Sequence, residues 1–277
     1  MNSGVRALRA QLERHARWFV LTGAGCSTES GIPAYRDENG IWRHKAPIQF
    51  RDFVGNEAVR KRYWARSFAG FARVQHAAPN AAHHALAQLE ALDRVGLLVT
   101  QNVDRLHQKA GSRSVIDLHG QLAKVTCLSC RAELDRDAWQ QELARHNPGL
   151  GTGSAPSAAP DGDAELEADY ASVHVPACSY CGGVLKPAVV FYGETVPPER
   201  VSAAYAALAD ADAVLVVGSS LSIFSGYRFV RRAADLNKPI IIVNSGATRA
   251  DRFAELTLPG PCAALLDAAT RGLPPRA

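Results

Sequence analysis

The run Trp18-Phe19-Val20-Leu21, followed at once by Thr22-Gly23-Ala24-Gly25, limits what this chain can fold into more than any other stretch. Four consecutive large apolar residues suit a strand buried on both faces, the environment of a parallel sheet. Two glycines directly after such a strand let the backbone turn tightly and bring its N–H groups close to a phosphate. Ser27 and Thr28 are placed to cap a brief helix facing the same anion, Gly31 ends it, and Pro33 prevents a restart. The dinucleotide fingerprint GxGxxG is met only in part, with Thr28 at its third position. No Lys-Ser/Thr pair follows the glycines, which excludes a nucleoside-triphosphate P-loop. From these residues a nucleotide-phosphate site and an ordinary tight turn both remain open.

The same pattern recurs along the chain. Leu97 to Thr100 runs into Gln101-Asn102-Val103-Asp104, and Ser114 to Leu118 into His119-Gly120. Ala213 to Val217 runs into Gly218-Ser219-Ser220, and Pro239 to Val243 into Asn244-Ser245-Gly246. Helical stretches are predicted at 56–75, 79–94, 197–209 and 227–236, so helix and strand alternate as in a doubly wound parallel α/β sheet. Such sheets bind ligands beyond the carboxyl ends of their strands, which gathers these polar turns over one crevice. His119 is a candidate general base near neutral pH. The plainer roles, loop capping for Asn102 and Asp104 and packing for His119, fit the same spacing. His83 and His84 are helix neighbours pointing about 100° apart, so they read as packing or surface residues and not as a ligand pair.

Composition narrows the function classes. The chain has 277 residues, enough for one large domain or two modest ones, and its 47% hydrophobic content suits a globular core. Its 31 basic and 27 acidic residues are dispersed and leave a charge of only +4, which argues against a nucleic-acid partner. No apolar run reaches the roughly eighteen residues of a membrane span. The first seventeen residues lack the apolar centre of a signal peptide and read as an amphipathic helix with Val5, Leu8 and Leu12 on one face. A cytoplasmic protein is expected.

The six cysteines support that expectation. Cys127 with Cys130 and Cys178 with Cys181 form two CxxC knuckles, the four thiolates of a closed, structural zinc site. Redox pairs and disulfides are the rival readings, and the lack of an export signal counts against them. Cys26 and Cys262 read as small buried hydrophobes with no catalytic role. Between the knuckles, 147–175 has the Gly, Ala, Ser, Pro and acidic composition of a mobile linker, with a short helix predicted near Leu166. Val184 to Tyr192 is β-prone and carries Pro187, which points to an edge or exposed strand.

GAGCSTESGIPAYR, TQNVD, LHG, the paired knuckles, KPAVVFYGE, VVGSSL and IVNSG occur in the order found in sirtuins, the NAD-dependent protein deacylases, and the likeness covers nearly the whole chain. RYWARSFAGF, APDGD and SGYRF further resemble the class II branch. Tyr35 stands where many sirtuins have phenylalanine, and Cys26 takes a variable position. The resemblance implies a Rossmann-like NAD-binding domain over 1–44, 77–121 and 184–277. It also implies a helical module of a small domain at 45–76 and a zinc module at 122–183 that carries the insertion.

By that resemblance NAD is the cosubstrate, one Zn2+ is structural, and the partner is an acyl-lysine protein or peptide, in a chain expected to be a monomer. The acyl group would pass to ADP-ribose with release of nicotinamide; mono-ADP-ribosyl transfer is the alternative on the same scaffold. His119 would be the base, and Asn102 and Asp104 would hold the nicotinamide end. Gly23, Ala24, Gly25, Ser27, Ile32, Pro33, Tyr35, Arg36 and Trp42 would belong to the NAD site. Gln101, Val103, Gly218, Ser219, Ser220, Asn244, Ser245, Gly246 and Cys262 would line the rest of it. The peptide would pair with Val189, Val190, Phe191, Tyr192, Gly193 and Glu194 as an added strand. Tyr63 and Arg66 have the Tyr-x-x-Arg spacing that reads a carboxylate at the acyl tip in desuccinylating sirtuins, and on a helix they share a face. Tyr63 packed in the core with Arg66 as a solvated helix charge fits the same spacing.

Overall fold

Trp18–Thr22 forms strand β1, buried at every position. The computed structural model describes residues 3–35, 47–150, 161–164 and 169–275. Beside β1 run β2 (Val95–Thr100) and β3 (Val115–Asp117); the three other strands of this chapter of the fold lie on its opposite flank. They are β7 (Ala213–Val217), β8 (Ile240–Asn244) and β9 (Leu256–Pro259), and the six-stranded sheet has the order β3-β2-β1-β7-β8-β9. Every pairing in it is parallel.

Both faces of this sheet are covered, as its uninterrupted apolar runs require. Trp18 and Val20 point to one face, packed with Leu8 and Leu12 of α1 (Ser3–Arg14). Leu86 and Leu89 of α4 (Ala81–Ala91) and Leu266 of α9 (Cys262–Thr270) complete that layer. Phe19 and Leu21 point to the other face, against Leu208 of α7 (Pro198–Asp210) and Phe229, Val230 and Ala233 of α8 (Phe224–Asp235). The winding goes outward in opposite directions from the β1–β7 pair, so the crevice opens beyond the ends of these two strands.

A second sheet, antiparallel and of order β5-β4-β6, is built from β4 (Gly120–Cys127), β5 (Glu133–Asp135) and β6 (Leu185–Val189). The Pro187-bearing strand lies on an edge, as its proline suggested, but it is buried and not exposed. A third core joins this sheet to the helices α2 (Phe50–Gly55), α3 (Glu57–His76) and α6 (Arg136–His146). Its centre is Phe53, Tyr63, Trp64, Leu122, Val125, Trp139 and Leu143. The short α5 (Leu106–Lys109) follows the Gln101–Asp104 turn.

The linker composition of 147–175 gives an incomplete picture. Residues 161–164 are docked on α3: Ala164 N–H donates to the Arg66 carbonyl, and a Cβ on Gly70 would lie 2.2 Å from the Gly162 oxygen. That close approach explains a glycine inside a long helix. The helix predicted near Leu166 lies outside the described residues.

Candidate active site

The turn after β1 is two consecutive 3-10 turns, Ala24–Cys26 and Thr28–Ser30. Gly25 packs directly on the turn after β7, where a Cβ would lie 2.9 Å from the Gly218 oxygen. Gly218 itself has φ +61°, and a Cβ there would lie 2.2 Å from Cys26 N. The expectation that the glycine N–H groups face a ligand needs correction. Gly23 N–H donates to Val217 O, and Gly25 N–H to Gly218 O. The glycines therefore allow two strand ends to meet. On these two turns the backbone N–H groups of Ala24, Ser219 and Ser220 are among those without an intramolecular acceptor among the described residues.

Ser27 does not cap the helical turn either. Its Oγ donates to Asp104 Oδ2 at 2.7 Å and accepts from Asn102 Nδ2 at 3.0 Å. Asn102 Nδ2 also donates to the Gly23 carbonyl, and Asp104 Oδ1 accepts the Leu106 N–H. The QNVD segment is thus a brace for the turn. Gln101 extends it by donating to Thr22 O and Ser219 Oγ, tying the ends of β1 and β7 together. Burial pushes the Asp104 carboxyl above the usual range. Beneath the turn His83 and His107 are fully buried with rings 4.8 Å apart, and burial pushes His83 down to about 4.

His119 sits where β3 passes into β4. Its Nδ1 lies 3.0 Å from the Gln101 carbonyl, which can only accept, so the proton is on Nδ1. Nε2 is then the acceptor, and Ser225 Oγ–H donates to it at 2.8 Å. Burial lowers this imidazole to about 4, and the charges of Arg200 and Arg228 act in the same direction. The result is a neutral ring with a basic nitrogen facing the crevice.

That crevice is a cavity of about 1080 Å³. On the side toward the second sheet its wall is Val189 to Glu194, and Lys186 Nζ fixes the segment by an ion pair with Glu194 at 3.0 Å. Val190 N–H donates to the His119 carbonyl, and Phe50 N–H to Tyr192 O. Tyr35, Tyr63, Asp161 and Asp163 close the inner end. Tyr63 is on the wall, but Arg66 is behind it, with Nε 2.7 Å from Asp163 Oδ1 and donating to Ala164 O. Burial and the neighbouring Asp161 raise Asp163 to about 6 despite that partner.

Away from the cavity the four knuckle cysteines converge. Cys127 and Cys181 Sγ are 3.5 Å apart, and Cys130 and Cys178 Sγ 3.8 Å. A tetrahedron with zinc–sulfur bonds of about 2.3 Å has edges of about 3.8 Å, so this donor set fits Zn2+. Ser129 N–H donates to Cys127 Sγ, as expected of a thiolate-holding turn.

The Sir2 family model matches residues 23–225. This chain belongs to the Sir2 family. It is 56% identical over 261 residues to the NAD-dependent protein deacetylase of Bordetella bronchiseptica, covering 94% of this chain and 95% of that one. The NAD-dependent protein deacylase Sirt4 of Drosophila melanogaster is 49% identical over 250 residues, covering 88% and 79%. A solved Sir2 complex with a p53 peptide and NAD+ superimposes with a TM-score of 0.76 at 26% identity, covering 96% of each chain.

Against this sirtuin frame, the cavity lining takes in most residues predicted for the site. Gly23, Ala24, Gly25, Ser27, Ile32, Tyr35, the whole Gln101–Asp104 turn, His119, Gly218, Ser219 and Ser220 lie on it. So do Asn244, Ser245, Gly246 and the buried Cys262. Pro33 is not on the wall, and Arg36 and Trp42 fall outside the described residues. Motif reading missed Ser225 and Arg228, although both belong to the SGYRF stretch, and it missed Asp161 and Asp163 as cavity residues. A serine or an arginine in a helix gives no local sign of which cavity it faces.

Proposed function

We propose that this sirtuin removes acyl groups from protein lysines with NAD as cosubstrate, transferring the acyl group to ADP-ribose and releasing nicotinamide. The observation that carries the site assignment is His119, held neutral on the cavity wall with its proton on Nδ1 and with Nε2 accepting from Ser225 Oγ. NAD supplies the electrophilic ribose carbon and the leaving nicotinamide. The residues supply the rest. The N–H groups of Ala24, Ser219 and Ser220 offer donors for phosphate, and the brace of Ser27, Asn102 and Asp104 fixes the turn that presents them. His119 starts neutral, keeps its own proton against Gln101 O and can take another at Nε2 from a hydroxyl that replaces Ser225 Oγ there, becoming imidazolium as it does so. A substrate strand would lie along Val190 to Glu194, whose register is held by Lys186 and Phe50. The four cysteines would hold one structural Zn2+.

We read the chain as a class II-like sirtuin, monomeric, cytoplasmic and without a nucleic-acid partner; none of its described helices is long and apolar enough to cross a membrane. The division into two domains draws support from the separate cores of the two sheets. The boundary at 184 does not follow them, since β6 pairs with β4, and Leu185 and Val189 pack in the core of the second sheet. The boundary at 44 lies outside the described residues. Mono-ADP-ribosyl transfer is not favoured by any feature of the cavity. The test is His119→Tyr. NAD affinity should stay within a few-fold while deacylation falls by roughly 10²–10⁴, the usual effect of losing a general base. Loss of NAD affinity with turnover preserved at saturation would make His119 a binding residue instead.

A further inference from the structure

Charged groups on the cavity wall are unequally matched. Each carboxylate has a partner: Asp163 has Arg66, Glu194 has Lys186, and Asp104 has Ser27 Oγ and Leu106 N–H. Asp161 accepts from Asp163 N–H. The guanidiniums of Arg228 and Arg249 have none among the described residues; Arg249 stacks over the Tyr227 ring, and Arg228 is the one whose charge acts on His119. Among the described residues it makes no ion pair and no hydrogen bond, and its Nε is buried without an acceptor. It is nevertheless held in place, with its carbon 5.3 Å from the centre of the Phe224 ring. A half-buried guanidinium whose buried Nε lacks an acceptor is costly unless something occupies it, and a carboxylate matches its planar fork best.

The position of Arg228 indicates whose carboxylate that is. Ser225, one helical turn earlier on the same face, touches His119 Nε2. Arg228 therefore stands on the His119 side of the cavity wall, close enough for its charge to act on that imidazole. The free backbone donors suited to phosphate are on the β1 and β7 turns. Arg200 lies near enough to act on His119 as well and likewise has no ion-pair partner among the described residues, so the local field is positive. Arg66, the arginine that sequence spacing offered for this task, is already neutralised by Asp163.

Resting on the deacylase reading, we propose that Arg228 receives a carboxylate of the acyl-lysine substrate and sets a preference for acidic substrates. The carboxylate has two possible sources: an acidic side chain next to the modified lysine, or the tip of a dicarboxylic acyl group. Both present the same chemistry to the same guanidinium.

Three peptides on one neutral scaffold separate the cases: an acetyl-lysine peptide with Gln beside the lysine, the same peptide with Glu, and a glutaryl-lysine version of the first. kcat/KM would be measured for the full chain as purified, for Arg228→Gln and for Arg228→Lys. In the parent at least one acidic peptide should exceed the neutral reference by roughly ten- to a hundredfold, the range of a charge-assisted contact. Arg228→Gln should bring that ratio near one, Arg228→Lys should restore part of it, and added salt should reduce it. The arm that loses its advantage identifies the source. Ratios near one for both acidic peptides in the parent overturn the proposal without needing any variant to fold. An equal rise in the KM for NAD on all three peptides also overturns it, by assigning Arg228 to the cofactor. Absence of nicotinamide release with every peptide in the parent would instead sink the deacylase reading.

Discussion

A single imidazole illustrates how much depends on neighbours. His119 would be about half protonated near pH 6.5 in water. Here burial lowers it to about 4, and one hydrogen bond on each nitrogen selects a tautomer. The expected outcome is that protonation of His119 does not limit kcat/KM until the pH approaches that value. A pH–rate profile checks this, and an acid limb centred near 6.5 that vanishes in a His119 variant would contradict it. Gly218 makes the second residue-scale case. Its φ of +61° and the 2.2 Å approach of Cys26 N leave no place for a Cβ. Gly218→Ala should destabilise the fold by roughly 1–3 kcal/mol, read from the denaturant midpoint at constant slope.

At the scale of elements, the second sheet and its knuckles should depend on the Zn2+ that the four cysteines fit. Cys127→Ala leaves three sulfurs around an ion that prefers four, and metal affinity in such modules is also folding energy. We expect the variant to lose zinc and to be poorly folded or inactive. Stoichiometric zinc in a fully active variant, by elemental analysis, would show that the site is not structural. Helix α3 gives another prediction. Gly→Ala at an exposed helix position gains about 1 kcal/mol. At Gly70 the added carbon meets the Gly162 carbonyl, so Gly70→Ala should show no such gain. It should also displace Asp161 and Asp163 from the inner wall, visible as an altered ratio of kcat/KM for long and short acyl chains.

Over the whole molecule the buried histidines link stability to pH. His83 is fully buried and its imidazole is lowered to about 4, against 6.5 when unfolded; burial lowers His107 as well. Below 6.5 the unfolded chain binds protons that the folded one refuses, so stability rises with pH between about 4 and 6.5 and is fully present above that window. His83 alone should account for roughly 3 kcal/mol across it. Asp163, raised to about 6, contributes with the opposite sign in this window, so melting at pH 7.5, 6, 5 and 4.5 would be compared between the parent and His83→Asn. Identical pH dependence in both would show that the His83 ring finds a partner for its charge.

Much of this architecture was legible in the sequence because its causes are local. A run such as Ala213–Val217 needs burial on both sides, and a glycine or serine directly after it marks the strand end, so the parallel sheet and its crevice follow from short stretches. The CxxC pairs announce a four-sulfur site by chemistry alone, wherever the chain carries them. What the sequence by itself did not determine is how distant side chains divide their partners. Ser27 looked like a helix cap, but Asp104, far along the chain, takes its hydrogen bond. Arg66 looked like the reader of an acyl carboxylate, but an aspartate from a linker-like insertion neutralises it. Ser225 and Arg228 stood in a recognisable stretch that gave no sign of a site role, since only the packing of α8 on the sheet turns them toward His119 and the cavity. Spacing within one element fixes which residues share a face; which charge meets which across the molecule is decided when the elements pack.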